Sequence, residues 1–422
     1  MIKKIGIIGL GNVGEAVAKS LKKYSALISR RFPLKIKVEK VCDTDRAKSK
    51  IAKSLGFSFT TNPRELIDDP QIDIIVELVG GVEPAYTFIK ESLKKGKSVV
   101  TANKALLARK GKQIFSLAKA KKACIGFEAS VCGAIPIVRS ISAGLVGCEV
   151  KRIDGILNGT TNYILHKMEK DNIDFARSLK EAQDKGLAEK KPDLDVEGID
   201  ALHKLCILTY LCYGVWPSLN KVYTEGISKI SLLDILYAKE LNYKIKLLAI
   251  AKKEKGCLDL RVHPALVSSG HPLSGVGEAF NAVFLDTQPA GELLFYGKGA
   301  GGVPTSSSVI SDIVNIACGY QRLLRKEEKM VIKDISDIRA RYYIRFMAQD
   351  NPGVLAKVSK ILASFKISIA SVNQKEKQEG KIVPVVMITH KVKEGSMRQA
   401  IVKIDKLSLI RGPSQMIRIE DL

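Results

Sequence analysis

Short apolar runs alternate with amphipathic segments along roughly the first third of the chain. The apolar runs predict strands at residues 4–8, 36–41, 72–78, 98–101 and 123–128, and the segments between them predict helices at residues 13–22, 46–54 and 84–95. Strands separated by helix-length segments are typical of a parallel sheet with helices on both faces. The pattern therefore predicts an α/β domain built on a doubly wound parallel sheet.

The pattern changes beyond residue 150. Residues 150–291 are richer in apparent helix, and the run EGIDALHKLCILTYLCYG, which starts at Glu197, has the length and apolar density of a largely buried helix. Residues 322–340 are dominated by charged side chains and predict a linker. A compact pattern then resumes, with strands predicted at 342–347, 367–372, 382–389 and 416–419 and helices at 352–365 and 396–406. This order is a βαββαβ unit, a small ferredoxin-like α+β domain.

Three glycines follow the first predicted strand directly. Gly9, Gly11 and Gly14 form G-x-G-x-x-G, with Asn12 and Val13 opening the next helix. The first glycine allows a tight turn, the second lets a pyrophosphate approach the backbone, and the third lets helix and strand pack closely. The helix N-terminus then offers free N–H groups to the phosphates. At the first strand of an alternating α/β chain, this motif predicts a Rossmann-type dinucleotide site rather than a structural turn.

An acidic residue is expected at the end of the second strand, where it binds the ribose. Asp43 has this place, although the segment KYSALISRRFPL puts it further from Gly14 than is usual. Asp43 favours a ribose hydroxyl and hence NAD. Arg46 and Lys48 close behind it could accept the 2′-phosphate of NADP, and the sequence leaves both cofactors open.

Composition and charge exclude several classes of protein. The 422 residues are enough for two or three domains, and no apolar run reaches membrane-spanning length. The formal net charge is +24, but the lysines are spread along the chain without interleaved aromatics or a nucleic-acid motif. The basic surface is therefore expected to attract anionic nucleotides and acidic substrates rather than nucleic acid. The eight cysteines show no metal or redox spacing, which predicts reduced thiols and a cytoplasmic protein.

Several longer stretches resemble the homoserine dehydrogenase family. The segment DIIVELVGGVEPAYTFIKESLKKGKSVVTANKALLARKG, from Asp73 to Gly111, is similar to the part of the family that lines the nicotinamide end of the cleft. The resemblance continues through FEASVCGAIPIV, DGILNGTTNYIL, AQDKGLAEKKPDLDVEGIDALHK and GKGAGGVPTSSSVISDI. It covers about residues 5–319. The later segment RYYIRFMAQDNPGVLAKVSKILASFKISIASVNQ resembles an ACT domain, an amino-acid-sensing module.

The resemblance implies an NAD(P)-dependent interconversion of L-aspartate 4-semialdehyde and L-homoserine, in the biosynthesis of threonine, methionine and isoleucine. It also implies a division into a nucleotide domain at 1–130 closed by 297–322, an α+β substrate-binding and dimerisation domain at 131–296, a linker at 323–340 and the ACT domain at 341–422. The assembly is expected to be a homodimer or homotetramer.

Threonine is the expected effector of the ACT domain. Gly353 and its neighbours would offer backbone N–H groups to its carboxylate. A chain that ends near Asp337 should then be active and insensitive to threonine. An assembly domain without any ligand is the alternative.

The reaction needs a group that stabilises and protonates a developing alkoxide. Lys104 and Lys204 are the candidates, because burial and a neighbouring cation can tune a lysine for proton transfer. Asp200 and Lys204 are four residues apart on one helix face, which by spacing alone is more often a solvated ion pair. The resemblance instead gives Asp200 and Glu189 the substrate ammonium and Lys204 the proton transfer.

The resemblance also implies the remaining contacts. The substrate contacts are Glu189, Asp200, Thr160 and Gly159. The cofactor contacts are Gly9, Gly11, Asn12, Val13, Gly14, Asp43, Gly80, Thr101, Lys104, Gly186 and Gly302. The chain departs from the family at Lys191, Leu187 and Cys42, which stand where aspartate, an aromatic residue and an NADP-binding arginine are usual.

The resemblance implies a monovalent cation, sodium, next to the nucleotide domain. Its ligands would be the carboxylate of Glu128 and the backbone carbonyls of Val131, Gly133 and Ile135, an oxygen-only set that suits a hard cation. The alternative is a carboxylate at the end of a buried strand that caps nearby N–H groups.

Two other functions are compatible with the same architecture. One is an NAD(P) oxidoreductase that acts on another amino acid, and the other is a catalytically inactive amino-acid sensor. The segment VVTANK and the set Glu189, Asp200 and Lys204 argue against the first. Intact Lys104 and Lys204 argue against the second.

Overall fold

The structure is a computed structural model that describes residues 2–320, 325–374 and 381–422. Residues 321–324 of the predicted closing segment and linker, and residues 375–380 of the predicted ACT domain, lie outside the described residues. The chain divides into two compact units. The first comprises Met1–Gly159, Asp200–Asn220 and Ala279–Lys329, and the second comprises Thr160–Ile199, Lys221–Glu278 and Met330–Leu422.

The helices and strands follow one another along the chain. Up to residue 159 they are β1 (Ile2–Ile8), α1 (Asn12–Arg31), β2 (Lys35–Cys42), α2 (Ser49–Leu55), β3 (Ser58–Thr60), α3 (Arg64–Ile67), β4 (Ile74–Glu77), α4 (Ala85–Lys94), β5 (Ser98–Thr101), α5 (Lys104–Ala120), β6 (Ile125–Gly126), α6 (Ile137–Arg139) and β7 (Glu149–Ile156). The middle of the chain forms α7 (Gly159–Asp171), α8 (Phe175–Asp184), α9 (Asp193–Val196), α10 (Ile199–Tyr213), β8 (Tyr223–Thr224), α11 (Leu232–Glu240), β9 (Tyr243–Glu254), β10 (Cys257–Ser268), β11 (Phe280–Gln288), β12 (Gly291–Lys298) and α12 (Gly302–Ala317). The C-terminal part forms β13 (Val331–Ile332), β14 (Arg339–Gln349), α13 (Val354–Ser364), β15 (Ile369–Gln374), β16 (Ile382–Thr389), β17 (Val392–Lys393), α14 (Glu394–Ile404) and β18 (Gln415–Glu420).

The first unit is built on a parallel sheet with the strand order β3-β2-β1-β4-β5-β6. Helices α1 and α12 bury Val17 and Ile313 against Ile5 and Val76 of the central strands. This order is that of a Rossmann sheet, in which a ligand binds where the strand order reverses at the carboxyl ends. The doubly wound parallel sheet predicted from the sequence is confirmed. Strands β7, β11 and β12 belong to the same unit and pair in antiparallel fashion.

Helix α1 is longer than the sequence pattern predicts. The segment before β2 continues the helix to Arg31, because Leu21 and Ile28 are buried on the same face as Val17. The extra turns of α1 account for the wide spacing between Gly14 and Asp43. The predicted strand at 123–128 is also shorter, since only Ile125–Gly126 pairs and residue 128 already lies in a 3₁₀ turn.

The second unit combines helices α7–α9 and α11 with a mixed sheet. Its main strands follow the order β9-β10-β18-β14-β16-β15. The predicted βαββαβ unit is present as β14-α13-β15-β16-α14-β18, with β17 as a short addition, and its strand β18 pairs in parallel with β10. The prediction that residues 150–291 are rich in helix is wrong beyond residue 243, where long strands follow. Both faces of these strands are buried, so their sequence lacks the alternation of apolar and polar residues that marks a half-exposed strand.

The predicted linker contains structure in its described part. Val331 and Ile332 form β13 and pair with Cys257 and Leu258 at the start of β10. Among the described residues, no helix is long and apolar enough to cross a membrane. The division into domains read from the sequence stays a prediction.

Candidate active site

The glycine loop has the backbone conformation that its motif requires. Gly9 has a φ of +99°, and a Cβ on Gly14 would lie 1.9 Å from the carbonyl oxygen of Gly9. A Cβ on Gly302 would lie 2.7 Å from the carbonyl oxygen of Asn12, so the start of α12 packs against the start of α1. Residues 12 and 302, far apart in sequence, therefore lie together at the carboxyl end of β1. Two helix N-termini at this place favour an anionic group.

Asp43 lies against this loop. Its Oδ2 accepts a hydrogen bond from the backbone N–H of Leu10 at 2.6 Å, and its Oδ1 accepts one from the N–H of Asp45 at 2.9 Å. The carboxylate therefore ties the end of β2 to the glycine loop. Each carboxylate oxygen can accept a second hydrogen bond, so this brace is compatible with ribose binding.

Cys42 does not face the nucleotide end of the sheet. Its side chain is 2% exposed and packs among Ile8, Leu66 and Ile75. Burial, followed by the charge of Asp43, raises the pKa of the thiol to about 11. Cys42 is therefore a core residue and presents no charged group to a cofactor phosphate.

The loop after β4 is held by residues from the neighbouring strand end. Glu77, fully buried, accepts hydrogen bonds from the hydroxyl of Thr101 at 2.6 Å and from the backbone N–H of Val79 at 2.8 Å. Burial raises its pKa despite these bonds. Asn103 caps α5 through the N–H of Leu106 and donates its amide to the carbonyl of Gly81 at 2.6 Å. Gly80, the predicted cofactor contact, lies exposed in this braced loop.

Asp200 bridges the two lysines that the sequence singles out. Its Oδ1 lies 2.8 Å from the Nζ of Lys104 at the start of α5, and its Oδ2 lies 2.7 Å from the Nζ of Lys204. The side chains of Asp200 and Lys204 are only 7% and 8% exposed, whereas that of Lys104 is 43% exposed. Burial opposes ionisation of Asp200, but the charges of Lys204 and Lys104 outweigh it and lower its pKa. The interpretation as a solvated helix pair is therefore wrong.

Two asparagines complete the surroundings of this cluster. Lys204 donates to the backbone carbonyl of Leu157 at 2.6 Å, and the amide of Asn281 donates to the same carbonyl at 2.9 Å. Asn158 donates its amide to Oδ2 of Asp200 at 2.9 Å. Neither Asn158 nor Asn281 is among the residues predicted from the sequence. The NGTTN run directed attention to the neighbours of Asn158, and Asn281 lies outside that run.

His203 and Cys132 are buried titratable groups beside the cluster. His203 is 5% exposed, and burial lowers its pKa to about 4, despite the opposing charge of Asp200. Burial raises the pKa of Cys132 to about 11, against the effect of Lys204. The histidine is thus neutral and the cysteine protonated at neutral pH.

Glu128 has the contacts of a capping carboxylate. Its two oxygens accept the backbone N–H groups of Val138 at 2.7 Å and Arg139 at 2.9 Å. The carbonyl of Gly133 accepts a hydrogen bond from the hydroxyl of Ser308, and that of Ile135 accepts one from a backbone N–H. Across the described residues, no group of three or more His, Cys, Asp or Glu side chains is arranged to hold a metal. The capping contacts are therefore present. They leave each of these oxygens with a second lone pair.

Three further predicted residues lie in the second unit. The hydroxyl of Thr160 donates to the carbonyl of Leu187 at 2.7 Å, which ties α7 to the loop between α8 and α9. Glu189 lies exposed in this loop, and Gly186, with a φ of +69°, follows the end of α8. Gly159, the remaining predicted substrate contact, belongs to the first unit, where a Cβ on it would lie 2.7 Å from the carbonyl oxygen of Ala279.

The βαββαβ segment contains a cavity of about 370 Å³ at the N-terminus of α13. Gly353, with a φ of +86°, precedes this helix, and Asp350 accepts a hydrogen bond from the amide of Gln374 at 2.9 Å. Both polar residues line the cavity together with Gly353. The arrangement offers helix N–H groups for a carboxylate and a carboxylate for an ammonium.

Comparison with protein families gives three matches that together cover most of the chain. The family of the homoserine dehydrogenase NAD binding domain matches residues 9–128, and that of homoserine dehydrogenase itself matches residues 136–314. The ACT domain family matches residues 342–407. The chain therefore contains a nicotinamide nucleotide-binding domain and an ACT domain.

Curated proteins and solved structures give the same family. The chain is 42% identical to the homoserine dehydrogenase of Helicobacter pylori over 420 residues, with 99% of both chains covered. It is 38% identical to that of Neisseria gonorrhoeae over 434 residues, with 99% of this chain and 98% of the other covered. The crystal structure of a homoserine dehydrogenase from Thiobacillus denitrificans superposes with a TM-score of 0.94 at 39% identity, covering 100% and 99% of the two chains. A hyperthermophilic archaeal homoserine dehydrogenase in complex with NADPH superposes with a TM-score of 0.66 at 29% identity, covering 77% of this chain and 100% of the other.

Proposed function

Because the chain belongs to the homoserine dehydrogenase family and is an oxidoreductase, we propose that it interconverts L-aspartate 4-semialdehyde and L-homoserine with NAD(P). This step belongs to the biosynthesis of threonine, methionine and isoleucine. The observation that carries the proposal is the bridge from Lys104 through the buried Asp200 to the buried Lys204, in the same unit as the glycine loop. Such a cluster supplies a proton donor and a charge that orients it.

A nicotinamide nucleotide held at the glycine loop would supply or accept the hydride. When the semialdehyde is reduced, the carbonyl oxygen becomes an alkoxide, and Lys204 gives it a proton as it forms. Asp200 holds the ammonium of Lys204 in place and also engages Lys104. In the direction of homoserine oxidation, the same lysine takes the hydroxyl proton. The carboxylates of Asp200 and Glu189 are proposed to attract the substrate ammonium, which carries the opposite charge.

The cofactor contacts are proposed at the residues named from the sequence. Asp43, braced against the glycine loop, favours a ribose hydroxyl, so NAD should be accepted. NADPH is the ligand named with the archaeal relative, and Arg46, exposed beyond Asp43, is the proposed partner of the 2′-phosphate of NADP. Initial rates with both cofactors test this. An enzyme that strictly requires NADP, with NAD inert, would contradict the proposed role of Asp43.

The activity itself is tested with a substrate panel. Homoserine and related hydroxy amino acids are offered with NAD and with NADP, and the absorbance of the reduced nicotinamide is followed. Turnover with homoserine alone supports the proposal. Turnover with a different amino acid indicates another oxidoreductase of this architecture, and no turnover with any of them indicates an inactive sensor.

Sodium is proposed at Glu128, Val131, Gly133 and Ile135, because their oxygens form a set suited to a hard cation. The test compares melting temperature and activity in sodium chloride and choline chloride, for the native chain and for Glu128→Gln. A sodium-specific rise in melting temperature that the variant loses supports the site. Equal behaviour in both salts leaves Glu128 as a capping residue only.

Threonine is proposed as the effector at the cavity beside Gly353, where helix N–H groups and Asp350 match the two charged ends of an amino acid. Calorimetric titration with threonine and rates in its presence test this. If threonine neither binds nor slows the enzyme, the domain senses another molecule or only assists assembly.

A homodimer or homotetramer in the cytoplasm is proposed. Strand β12 is the outermost strand of β12-β11-β7, and its Leu294 and Tyr296 are 43% and 53% exposed. Exposed apolar side chains on an outer strand favour self-association. All eight cysteines are free thiols, as expected in a reducing compartment. Light scattering of the purified chain tests the oligomeric state, and cell fractionation tests the cytoplasmic location.

A further inference from the structure

The turn between β7 and α7 contacts both members of the buried ion pair. The carbonyl of Leu157 accepts hydrogen bonds from Nζ of Lys204 at 2.6 Å and from Nδ2 of Asn281 at 2.9 Å. The next residue, Asn158, donates its Nδ2 to Oδ2 of Asp200 at 2.9 Å. Leu157 and Asn281 are fully buried, and Asn158 is 4% exposed. Consecutive residues of one turn therefore hold a lysine and its carboxylate.

These contacts decide where the lysine ammonium points. A lysine ammonium has three N–H groups in tetrahedral arrangement. One points to the carbonyl of Leu157 and one to Oδ2 of Asp200 at 2.7 Å, which fixes the direction of the third. A shift of the Leu157 carbonyl would turn that third N–H away from the substrate oxygen that Lys204 is proposed to protonate.

Close backbone contacts hold Asn281 and the turn in place. A Cβ on Gly299 would lie 2.0 Å from the amide carbon of Asn281. A Cβ on Gly159 would lie 2.7 Å from the carbonyl oxygen of Ala279. Any larger residue at position 299 or 159 would push the backbone away from the amide or from the turn. The asparagine and the turn therefore have one close-packed arrangement.

We propose that Asn281 and Asn158 are positioning residues for the reaction. Asn281 fixes the Leu157 carbonyl that aims the Lys204 ammonium, and Asn158 fixes the Asp200 carboxylate. Neither side chain is required to touch substrate or cofactor. This inference rests on the proposed function, because it assigns the direction of the same proton transfer.

The two asparagines should differ in their kinetic signatures. Asn281→Ala removes the Asn281 amide from the Leu157 carbonyl, so this carbonyl is less firmly positioned and the ammonium of Lys204 points less accurately at the substrate oxygen. The value of kcat should fall on the order of tenfold to hundredfold with little change in KM for homoserine, as for small misplacements of reacting groups. Asn158→Ala removes one of the contacts that position the Asp200 carboxylate, which is proposed to attract the substrate ammonium. KM for homoserine should therefore rise by a larger factor than kcat falls.

Serine variants test whether the hydrogen bond or the packing matters. Asn281→Ser and Asn158→Ser are smaller than asparagine but retain a donor, so each should recover part of the activity that the alanine variant loses. Asn162→Ala is the matched control. Asn162 is 1% exposed, belongs to the same NGTTN run and donates to the carbonyls of Val276 and Glu278. Its loss should lower the melting temperature and leave kcat and KM unchanged.

Steady-state kinetics, binding of the reduced cofactor by fluorescence, and melting temperatures decide between the outcomes. The expected result is normal cofactor binding, with the split between kcat and KM described above. Native kinetics in both alanine variants would overturn the inference, as would an equal loss of kcat in Asn162→Ala. A native chain inactive with homoserine would overturn the proposed function itself, whereas an active native chain with unaffected variants overturns only the positioning roles.

Discussion

Arg345 and Asp234 form a two-point ion pair inside the second unit, with Nε 2.6 Å from Oδ1 and Nη2 3.0 Å from Oδ2. Arg345 lies on β14 of the ACT segment, and Asp234 caps α11 in a capping box with Ser231. The hydroxyl of Tyr343 donates to the same carboxylate at 3.1 Å. The ACT segment is therefore bound to the preceding part of the chain by buried charge.

We expect Arg345→Leu to destabilise the protein strongly. The side chain of Asp234 is fully buried, so removal of its partner leaves a buried charge uncompensated. Such changes typically cost about 3–5 kcal/mol of unfolding free energy, measured by urea unfolding. Arg341→Leu is the control, because Arg341 and Asp421 are 30% and 41% exposed at 3.4 Å, and exposed pairs contribute about 1 kcal/mol or less. Equal losses of unfolding free energy in the two variants would contradict the expectation that the buried Asp234 needs Arg345 more than the exposed Asp421 needs Arg341.

The same contacts change the expectation for a chain that ends near Asp337. Such a chain loses β18, which pairs with β10, and leaves Arg261 without Glu420, 2.5 Å away. We expect it to be insoluble or to melt at a much lower temperature, rather than to be an active enzyme insensitive to threonine. Soluble expression and a native-like melting curve of the shortened chain would contradict this. A substitution at Gly353 is a better test of effector binding.

Sequence patterns predicted the local elements of the ACT segment but not how it joins the rest. The βαββαβ order follows from alternating strand and helix periodicity, which is visible within short windows. The pairing of Ala265 with Arg418 joins residues far apart in sequence, and the buried arginine there resembles any other basic residue when only the sequence is seen. Contacts at long sequence separation leave no local periodicity, so they could not be predicted.

The candidate site shows the same division. Lys104 could be selected because it follows a strand end in TANK, and the helical spacing of Asp200 and Lys204 predicts contact. The resemblance to the family was needed to prefer a catalytic pair over a solvated ion pair. Asn158 and Asn281 act through an amide that meets a backbone carbonyl or a carboxylate. Asn158 lies in a turn, where asparagine is common, and Asn281 lies in strand β11, so nothing in the sequence separates these two from other asparagines.

His203 should make stability depend on pH between about pH 6.5 and pH 4. Burial lowers its pKa from 6.5 to about 4, so the unfolded chain binds the proton first as the pH falls. Its contribution to the unfolding free energy is present above pH 6.5 and is lost progressively towards pH 4. Urea unfolding of the native chain and of His203→Asn at several pH values should show a shallower pH dependence in the variant. Asn replacement of the exposed His390 is the control, and identical curves for the native chain and His203→Asn would contradict the assignment.

Asp43→Ala should raise KM for NAD. The change removes the proposed ribose acceptor and the brace on the Leu10 N–H, so the glycine loop is no longer fixed to the end of β2. Asp45→Ala is the control, since this exposed carboxylate accepts the N–H of Ala47 at 2.9 Å, and the variant should leave KM unchanged. Arg46→Ala should raise KM for NADP alone. An Asp43→Ala enzyme with native KM for both cofactors would remove Asp43 from the cofactor site.

Lys204→Ala should lower turnover with little change in cofactor binding. The lysine interacts with an alkoxide that exists only as hydride is transferred, so its loss affects the transition state more than the bound substrate. General acid–base catalysis typically supplies about 10²–10⁴-fold, and kcat for homoserine oxidation should fall on that order.

Two further variants divide the work around Lys204. Glu189→Gln should raise KM more than it lowers kcat, because the substrate ammonium is charged in both ground and transition states. Lys104→Ala decides which lysine transfers the proton, since both lie within 2.8 Å of the same carboxylate. If Lys104 orients and attracts the substrate without transferring the proton, Lys104→Ala should retain a measurable kcat well above that of Lys204→Ala. If Lys104→Ala abolishes turnover while Lys204→Ala retains near-native rates, the exposed lysine at the start of α5 is the proton donor, and the buried one only holds Asp200 in place.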